Sequence, residues 1–192
     1  MVRRRGRLAM KIQEAFPDKI HELVLYVCAK SAKDERFGRT KLNKILFFAD
    51  FLAFANTGKA ITEVTYWTLP WGPGPKCLLP VLDKLTKAGR LAEQDINFYE
   101  KPQKRPIALK APDLKHFTAE EISLVDYVIE KLWNLTAAEV SEFSHRFLFW
   151  WDAMPEKTLI PYAAAWVSVP REFTAEETAL AEQLQREIER AA

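Results

Sequence analysis

The residue types that do chemistry are scattered in this sequence. There are three histidines, His21, His116 and His145, two cysteines, Cys28 and Cys77, and one carboxylate, Asp50, set inside an apolar run. No pair of histidines has the spacing of a helical metal site, and neither cysteine completes a zinc pattern. Ser144-His145-Arg146 puts a hydroxyl beside an imidazole, but no Gly-x-Ser-x-Gly elbow accompanies it to build an acyl-transfer triad. Trp71-Gly72-Pro73-Gly74-Pro75 is rich in glycine, yet it lacks the Lys-Ser/Thr of a phosphate-binding loop, and its prolines remove N–H donors that a phosphate needs. It reads as a rigid bend. An unpaired buried carboxylate costs several kcal/mol, so Asp50 is paired, exposed or neutral. Two uses remain open for it: a structural hydrogen bond or ion pair with a basic side chain, or a polar anchor for a bound partner. A catalytic use lacks a second carboxylate or histidine one helical turn away. The sequence is therefore not read as an enzyme, and neither a cofactor nor a metal is expected.

The elements that position these residues follow from periodicity. A first helix starts near Pro17, carries Ile20, Leu23, Val24, Val27 and Cys28 on one face, and ends before Gly38. A second helix, from about Thr40 to Asn56, has one stripe of Leu42, Ile45, Ala49 and Leu52 and another of Phe47, Phe51 and Phe54. A helix apolar nearly all round is buried on several sides, so this one is expected to be the core, with Lys41 and Lys44 keeping its first turn polar. Gly58 marks its end. The β-branched and aromatic run Val64–Leu69 predicts a strand that closes at Pro70. The bend leads to a third helix over Lys76–Ala88, stopped by Gly89, and two extended segments follow at Arg90–Tyr99 and Pro106–Lys110.

The second half is helical and announces its starts. Thr118 with Glu121, Thr136 with Glu139, and Thr174 with Glu177 each have capping-box spacing. The aromatic cluster Phe147 to Trp151 is expected in part as core. Five contiguous apolar residues from Phe147 leave some rings, Trp150 and Trp151 among them, near the surface. A last helix from Thr174 has a narrow stripe of Leu180, Leu184 and Ile188, suited to the body, to a second copy in a homo-oligomer, or to a partner.

Among 192 residues, 48% are hydrophobic and 28% charged, which suits one globular domain with an added helical element. The longest apolar run, Ile45 to Ala55, is interrupted by Asp50 and too short for a bilayer. No secretory signal is legible, so a cytoplasmic protein without a membrane partner is expected. The net charge of +2 does not by itself imply nucleic acid. Its distribution allows it: Arg3, Arg4 and Arg5 begin a basic arm, and Lys101, Lys104 and Arg105 would tip a hairpin. Helix, strand, helix and basic hairpin give a winged-helix-like layout, hence an alternative reading as a DNA-binding protein that regulates its own promoter.

Lys41-Leu42-Asn43-Lys44-Ile45-Leu46-Phe47-Phe48-Ala49-Asp50, then Gly58, Ile61, Tyr66 and Gly72-Pro73, resemble the signature of the Panacea domain, the SocA-like antitoxin family. Its pattern runs roughly K-L-x-K-L-L-Y-F-A-D, a Gly, and later Y and G-P. Phe47 stands where many relatives have Tyr. Leu135 to His145 and Ile160-Pro161-Tyr162 are similar to the family's C-terminal part, so the resemblance covers roughly Lys19 to Tyr162. It implies an antitoxin of a prokaryotic, phage or mobile-element toxin–antitoxin pair, neutralising a cognate protein toxin by direct contact. The fold expected is α+β and mainly α-helical: a helical core with a small strand and hairpin element. Residues 1–16 are read as a basic arm, 17–165 as the domain and 166–192 as a C-terminal amphipathic helix. Partner contacts are expected at Lys41, Lys44, Asp50, Tyr66, Trp67, Trp71, Trp150, Trp151, Leu180, Leu184 and Ile188.

Overall fold

The aromatic run folds as one helix, α2 (Arg39–Thr57), and the other elements are arranged around it. The computed structural model describes residues 18–98, 101–147 and 154–168. Gly58 ends α2 in the left-handed conformation at φ 74°, its N–H bonded to the Phe54 carbonyl at 2.8 Å. A residue with a Cβ reaches that conformation only at a cost. Both expected stripes are buried or half-buried, and the residues between them are buried too: Leu42, Ile45, Leu46, Phe47, Phe48, Ala49 and Phe51 lose nearly all contact with solvent.

Each face of α2 meets a different element. Helix α1 (Asp18–Lys30) covers one side and stops earlier than its periodicity suggests, passing into a 3-10 turn at Ser31–Lys33. The cause is local and polar. The Asp34 carboxylate accepts the Arg36 N–H at 3.0 Å, and Arg105 donates to the carbonyls of Ala32 and Phe37 at 2.8 and 3.3 Å, fixing the chain in a non-helical path. Helices α4 (Ala119–Lys131) and α5 (Ala137–Phe147) cover another side. Both begin with the reciprocal bonds that their sequences announce, Thr118 with Glu121 and Thr136 with Glu139. Short α6 (Ala164–Ser168) lies against the far end of α2, where Trp166 packs on Phe54. The expected boundary at residue 166 falls inside this helix.

The β-structure is small. The predicted strand over 64–69 shortens to β1 (Tyr66–Trp67), which pairs antiparallel with β2 (Gly74–Pro75) on one side and β5 (Leu159–Ile160) on the other. Helix α3 (Leu78–Lys87) follows the bend. A hairpin of β3 (Leu91–Phe98) and β4 (Lys101–Ala108) comes next, in the register Leu91 with Ala108 through Phe98 with Lys101. The strand therefore takes in residues 101–105, which the sequence places in the turn. Pro102 and Pro106 both sit in β4, which among the described residues pairs with β3 alone, and proline is tolerated in such an edge strand.

Long-range polar contacts join the two halves. Glu22 on α1 takes both guanidinium nitrogens of Arg90 at 2.7 and 2.8 Å and the Asp113 N–H at 2.7 Å. Those donors hold the Glu22 carboxyl below its usual range despite the counteracting burial. Lys19 meets Glu121 at 2.7 Å, and Tyr26 donates to Asp126 at 2.7 Å. The architecture is mainly α-helical with small antiparallel pieces.

Candidate protein-interaction site

The first turns of α2 and the Gly-Pro bend form one locked unit. Lys41 and Lys44 sit three residues apart on the helix and were expected to keep its first turn polar. Both are instead buried, each about 1% exposed. They solve that problem differently. Lys41 Nζ lies 2.6 Å from the Asp34 carboxylate, itself buried, making an enclosed ion pair. Burial nevertheless lowers the Lys41 pKa, the opposing pull of Asp34 being the smaller influence. Among the described residues no carboxylate lies at hydrogen-bond distance of Lys44; it donates to the Pro73 carbonyl at 3.0 Å. Desolvation brings its pKa down to about 7.

That contact explains the glycines of the bend. Gly72 has φ 92°, and a Cβ there would stand 2.6 Å from Ser144 Oγ and closer still to Lys44 Nζ. At Gly74 an added Cβ would meet Asn43 Oδ1 at 2.7 Å and Leu69 Cδ1 at 2.8 Å. Glycine lets the bend's backbone lie directly on α2. Helix α5 fixes it from the other side: Ser141 Oγ donates to the Trp71 carbonyl at 3.1 Å, and Ser144 Oγ donates back to the Ser141 carbonyl at 2.6 Å. The Gly72 N–H closes the turn on Leu69 O at 2.9 Å. The rigid bend read from the sequence is thus held by two helices, α2 and α5, and by its own turn bond.

Two turns further along α2, Asp50 is fully buried. Among the described residues its partners are not basic side chains. It accepts the Thr62 N–H at 2.8 Å, the Tyr66 hydroxyl at 2.8 Å and the Thr62 hydroxyl. Burial raises its pKa to about 6, although all these donors pull the other way. The Tyr66 phenol is raised well above its ordinary value by burial and by the neighbouring carboxylate. Asp50 therefore ties the loop after α2 to strand β1, while Tyr66 packs edge-on against Phe51 at 5.3 Å between centroids. Tyr162 closes the cluster, its hydroxyl donating to the Val64 carbonyl at 2.6 Å.

Only part of the expected contact set reaches solvent. Lys41, Lys44, Asp50 and Tyr66 are interior, because α2 is enclosed even at its first turn. Trp67 is half-buried, and its register partner on β5 is Leu159, 62% exposed, so the two share a sheet face. Trp71 is 72% exposed at the crest of the bend. Leu159 had no signal of its own, since a two-residue strand next to Pro161 carries too little pattern. Of the residues considered for nucleic acid, Arg105 turns inward to main-chain carbonyls, and Lys104 stands 3.7 Å from Asp95 across the hairpin. Lys101 opens β4. Arg3, Arg4, Arg5, Trp150, Trp151, Leu180, Leu184 and Ile188 lie outside the described residues.

Among the described residues no group of three or more histidine, cysteine, aspartate or glutamate side chains is placed to hold a metal ion. No described helix is long and apolar enough to cross a membrane. A backbone clamped by buried polar groups, with aromatic side chains raised on its outer edge, has the character of a binding scaffold. The family model of the antitoxin SocA-like Panacea domain matches residues 42–152, more than half of the 192-residue chain, and the chain belongs to that family. The match takes in Leu42 to Asp50, the bend and Leu135 to His145; Lys41 and Ile160 to Tyr162 fall just beyond it. No curated protein and no solved structure matches the chain.

Proposed function

We propose that this chain is an antitoxin that silences a cognate protein toxin by direct contact, through the edge formed by Trp67, Trp71 and Leu159. Membership of an antitoxin-like family supports the role. The observation that carries the surface is Trp71: a large indole, mostly exposed, on a backbone pinned by Lys44, Ser141 and the Leu69 carbonyl. A ring presented from a fixed backbone loses little conformational freedom on binding, which is why aromatic anchors dominate interface energetics. Lys41, Lys44, Asp50 and Tyr66 serve this surface from beneath as the residues that fix its shape.

The test begins with the gene adjacent to this one. Its product should arrest growth when expressed alone, be tolerated when co-expressed with this chain, and co-purify with it. A neighbour that is harmless alone, or whose toxicity this chain does not relieve, removes the antitoxin reading.

A further inference from the structure

The β3–β4 hairpin has two outer edges, and they differ. The bond from the Leu109 N–H to the Arg90 carbonyl, 2.8 Å, stands one step beyond the Leu91–Ala108 pair and sets the phase of the ladder. Bonded pairs recur at every second residue of an antiparallel ladder. The N–H and C=O of Ala92, Gln94 and Ile96 therefore point into the hairpin, and those of Glu93, Asp95 and Asn97 point away from it. On β4 the outward positions are Pro102, Lys104 and Pro106. Two of those three carry no N–H. Helix α1 also packs along β4, with Pro106 buried and Arg105 bonded to the carbonyls of Ala32 and Phe37. That edge is closed to another strand.

The edge of β3 is open. Glu93, Asp95 and Asn97 are all exposed. Glu93 is exposed as a whole residue although its side chain is only 25% exposed, which puts the exposure on its main chain. Among the described residues no hydrogen bond reaches the main-chain N–H or C=O groups of these three residues. A row of unpaired main-chain groups is a template for another strand. This one spans ~14 Å, about five residues of extended chain.

We infer that the outer edge of β3 takes up an extended strand of a protein partner, with a lysine or arginine of that strand facing Asp95. The side chains of Glu93, Asp95 and Asn97 share one face of the hairpin, and an added strand sets its own side chains opposite them. Glu93 is already engaged by the Arg39 guanidinium at 2.6 and 3.0 Å. Asp95 is 82% exposed, and its cross-strand lysine, Lys104, stands 3.7 Å away. An exposed pair at that distance contributes little, so the carboxylate is available to a second cation. The same charges disfavour a second copy of the chain. Laid antiparallel on itself with full overlap, β3 would set Asp95 against Asp95 or against Glu93, like charges directly opposite. The occupant is therefore a foreign strand, and the inference holds whether or not its owner is a toxin.

The test uses the full chain and a synthetic probe, a peptide of alternating threonine and lysine ~8 residues long, with its threonine–glutamate counterpart as control. In the free chain the amides of Glu93, Asp95 and Asn97 should exchange with solvent at least tenfold faster than those of Gln94 and Ile96. The lysine peptide at ~5 mM should slow the three outer amides at least threefold, as a Kd of about 1 mM implies, and the glutamate peptide should not. Asp95→Lys should exchange the two preferences. Asp95→Pro removes an outward N–H, as Pro102 and Pro106 do on β4, and should abolish the response at Glu93 and Asn97 while Gln94 and Ile96 stay protected. Should the proline variant lose the hairpin, Asp95→Lys alone decides. Outer amides already protected in the free chain overturn the inference, because the edge is then covered. So does a lysine peptide that leaves them unchanged, an equal response to both peptides, or a preference that Asp95→Lys does not reverse.

Discussion

Lys41→Met and Lys44→Met make the same chemical change one helical turn apart, and they should move stability in opposite directions. Methionine keeps most of the apolar stem and removes the amine. At position 41 this strands the Asp34 carboxylate, 2% exposed, with the Arg36 N–H at 3.0 Å still bonded to it. Breaking a buried pair from one side costs ~3–5 kcal/mol. At position 44 no carboxylate among the described residues is stranded. The gap between the ordinary lysine value of 10.5 and about 7 corresponds to ~5 kcal/mol of solvation cost at about 1.36 kcal/mol per tenfold. The bond to Pro73 O that methionine forfeits is worth ~1.5–3 kcal/mol even to a charged donor. Solvation wins, so Lys44→Met should be neutral or stabilising by ~1–3 kcal/mol at pH 7. The sign with pH follows. Between about 7 and 10.5 the unfolded chain holds a proton at this position that the folded chain has released. Stability of the unmodified protein therefore rises with pH across that window, and the penalty is fully present below it. Lys44→Met should remove most of the rise, the remainder belonging to Lys41, which burial shifts in the same direction. Urea unfolding of the three proteins from pH 6.5 to 9.5, at constant m-value, measures all of this. A loss of more than ~2 kcal/mol in Lys44→Met at pH 7, with no rise in the parent, would refute the reasoning and make the Pro73 bond the dominant effect.

Three further outcomes are expected. The Asp50 carboxyl, raised from 3.8 to about 6, binds more proton in the folded chain, so stability should fall as pH rises through that window by ~3 kcal/mol. Asp50→Asn should flatten this fall in melting curves between pH 4 and 7, and an unchanged slope would place its origin elsewhere. Gly58→Ala meets open space at positive φ and should cost ~1–2 kcal/mol of backbone strain alone. Gly72→Ala adds collision with the buried Lys44 and Ser144 side chains, so it should cost clearly more; equal losses would show that the bend can lift off α2. If the proposed toxin contact holds, Trp71→Ala should weaken it at least tenfold, about 1.4 kcal/mol, with little change in melting temperature. A large thermal loss instead would make Trp71 a structural residue.

Much of the scaffold was legible because it rests on local or periodic chemistry. Two apolar stripes on one helix announce a buried α2, Thr118 and Thr136 with their glutamates announce two helix starts, and Gly58 announces a stop. Lys41 and Lys44 misled for a physical reason. Lysine at a first helical turn normally faces water, and the sequence holds no local sign that Asp34 will fold back or that Pro73 will offer its carbonyl. Asp50 was expected to be paired, exposed or neutral, with a structural hydrogen bond or a basic partner; it is buried, and the donors it meets, on Thr62 and Tyr66, are hydroxyls and an amide. Arg105 resembled a hairpin-tip cation until the register put it within β4, turned toward the carbonyls after α1. The β1–β5 pair joins Tyr66 to Ile160, and two-residue strands that far apart leave no periodicity to read.

The enclosure of α2 has a consequence for how the protein is made. Its covering helices α4, α5 and α6 are all encoded after it, and α6 ends at Ser168 while α2 ends at Thr57. At roughly 5–20 residues per second of synthesis, the bare aromatic helix waits on the order of 5–20 s on the ribosome before its last cover emerges. Until α4, α5 and α6 have emerged in turn, Phe47, Phe48, Phe51 and Phe54 lack part or all of the cover that the later half supplies. Each new molecule therefore passes through a stage at which chaperones and proteases can reach its centre, before any folded surface exists to meet a partner.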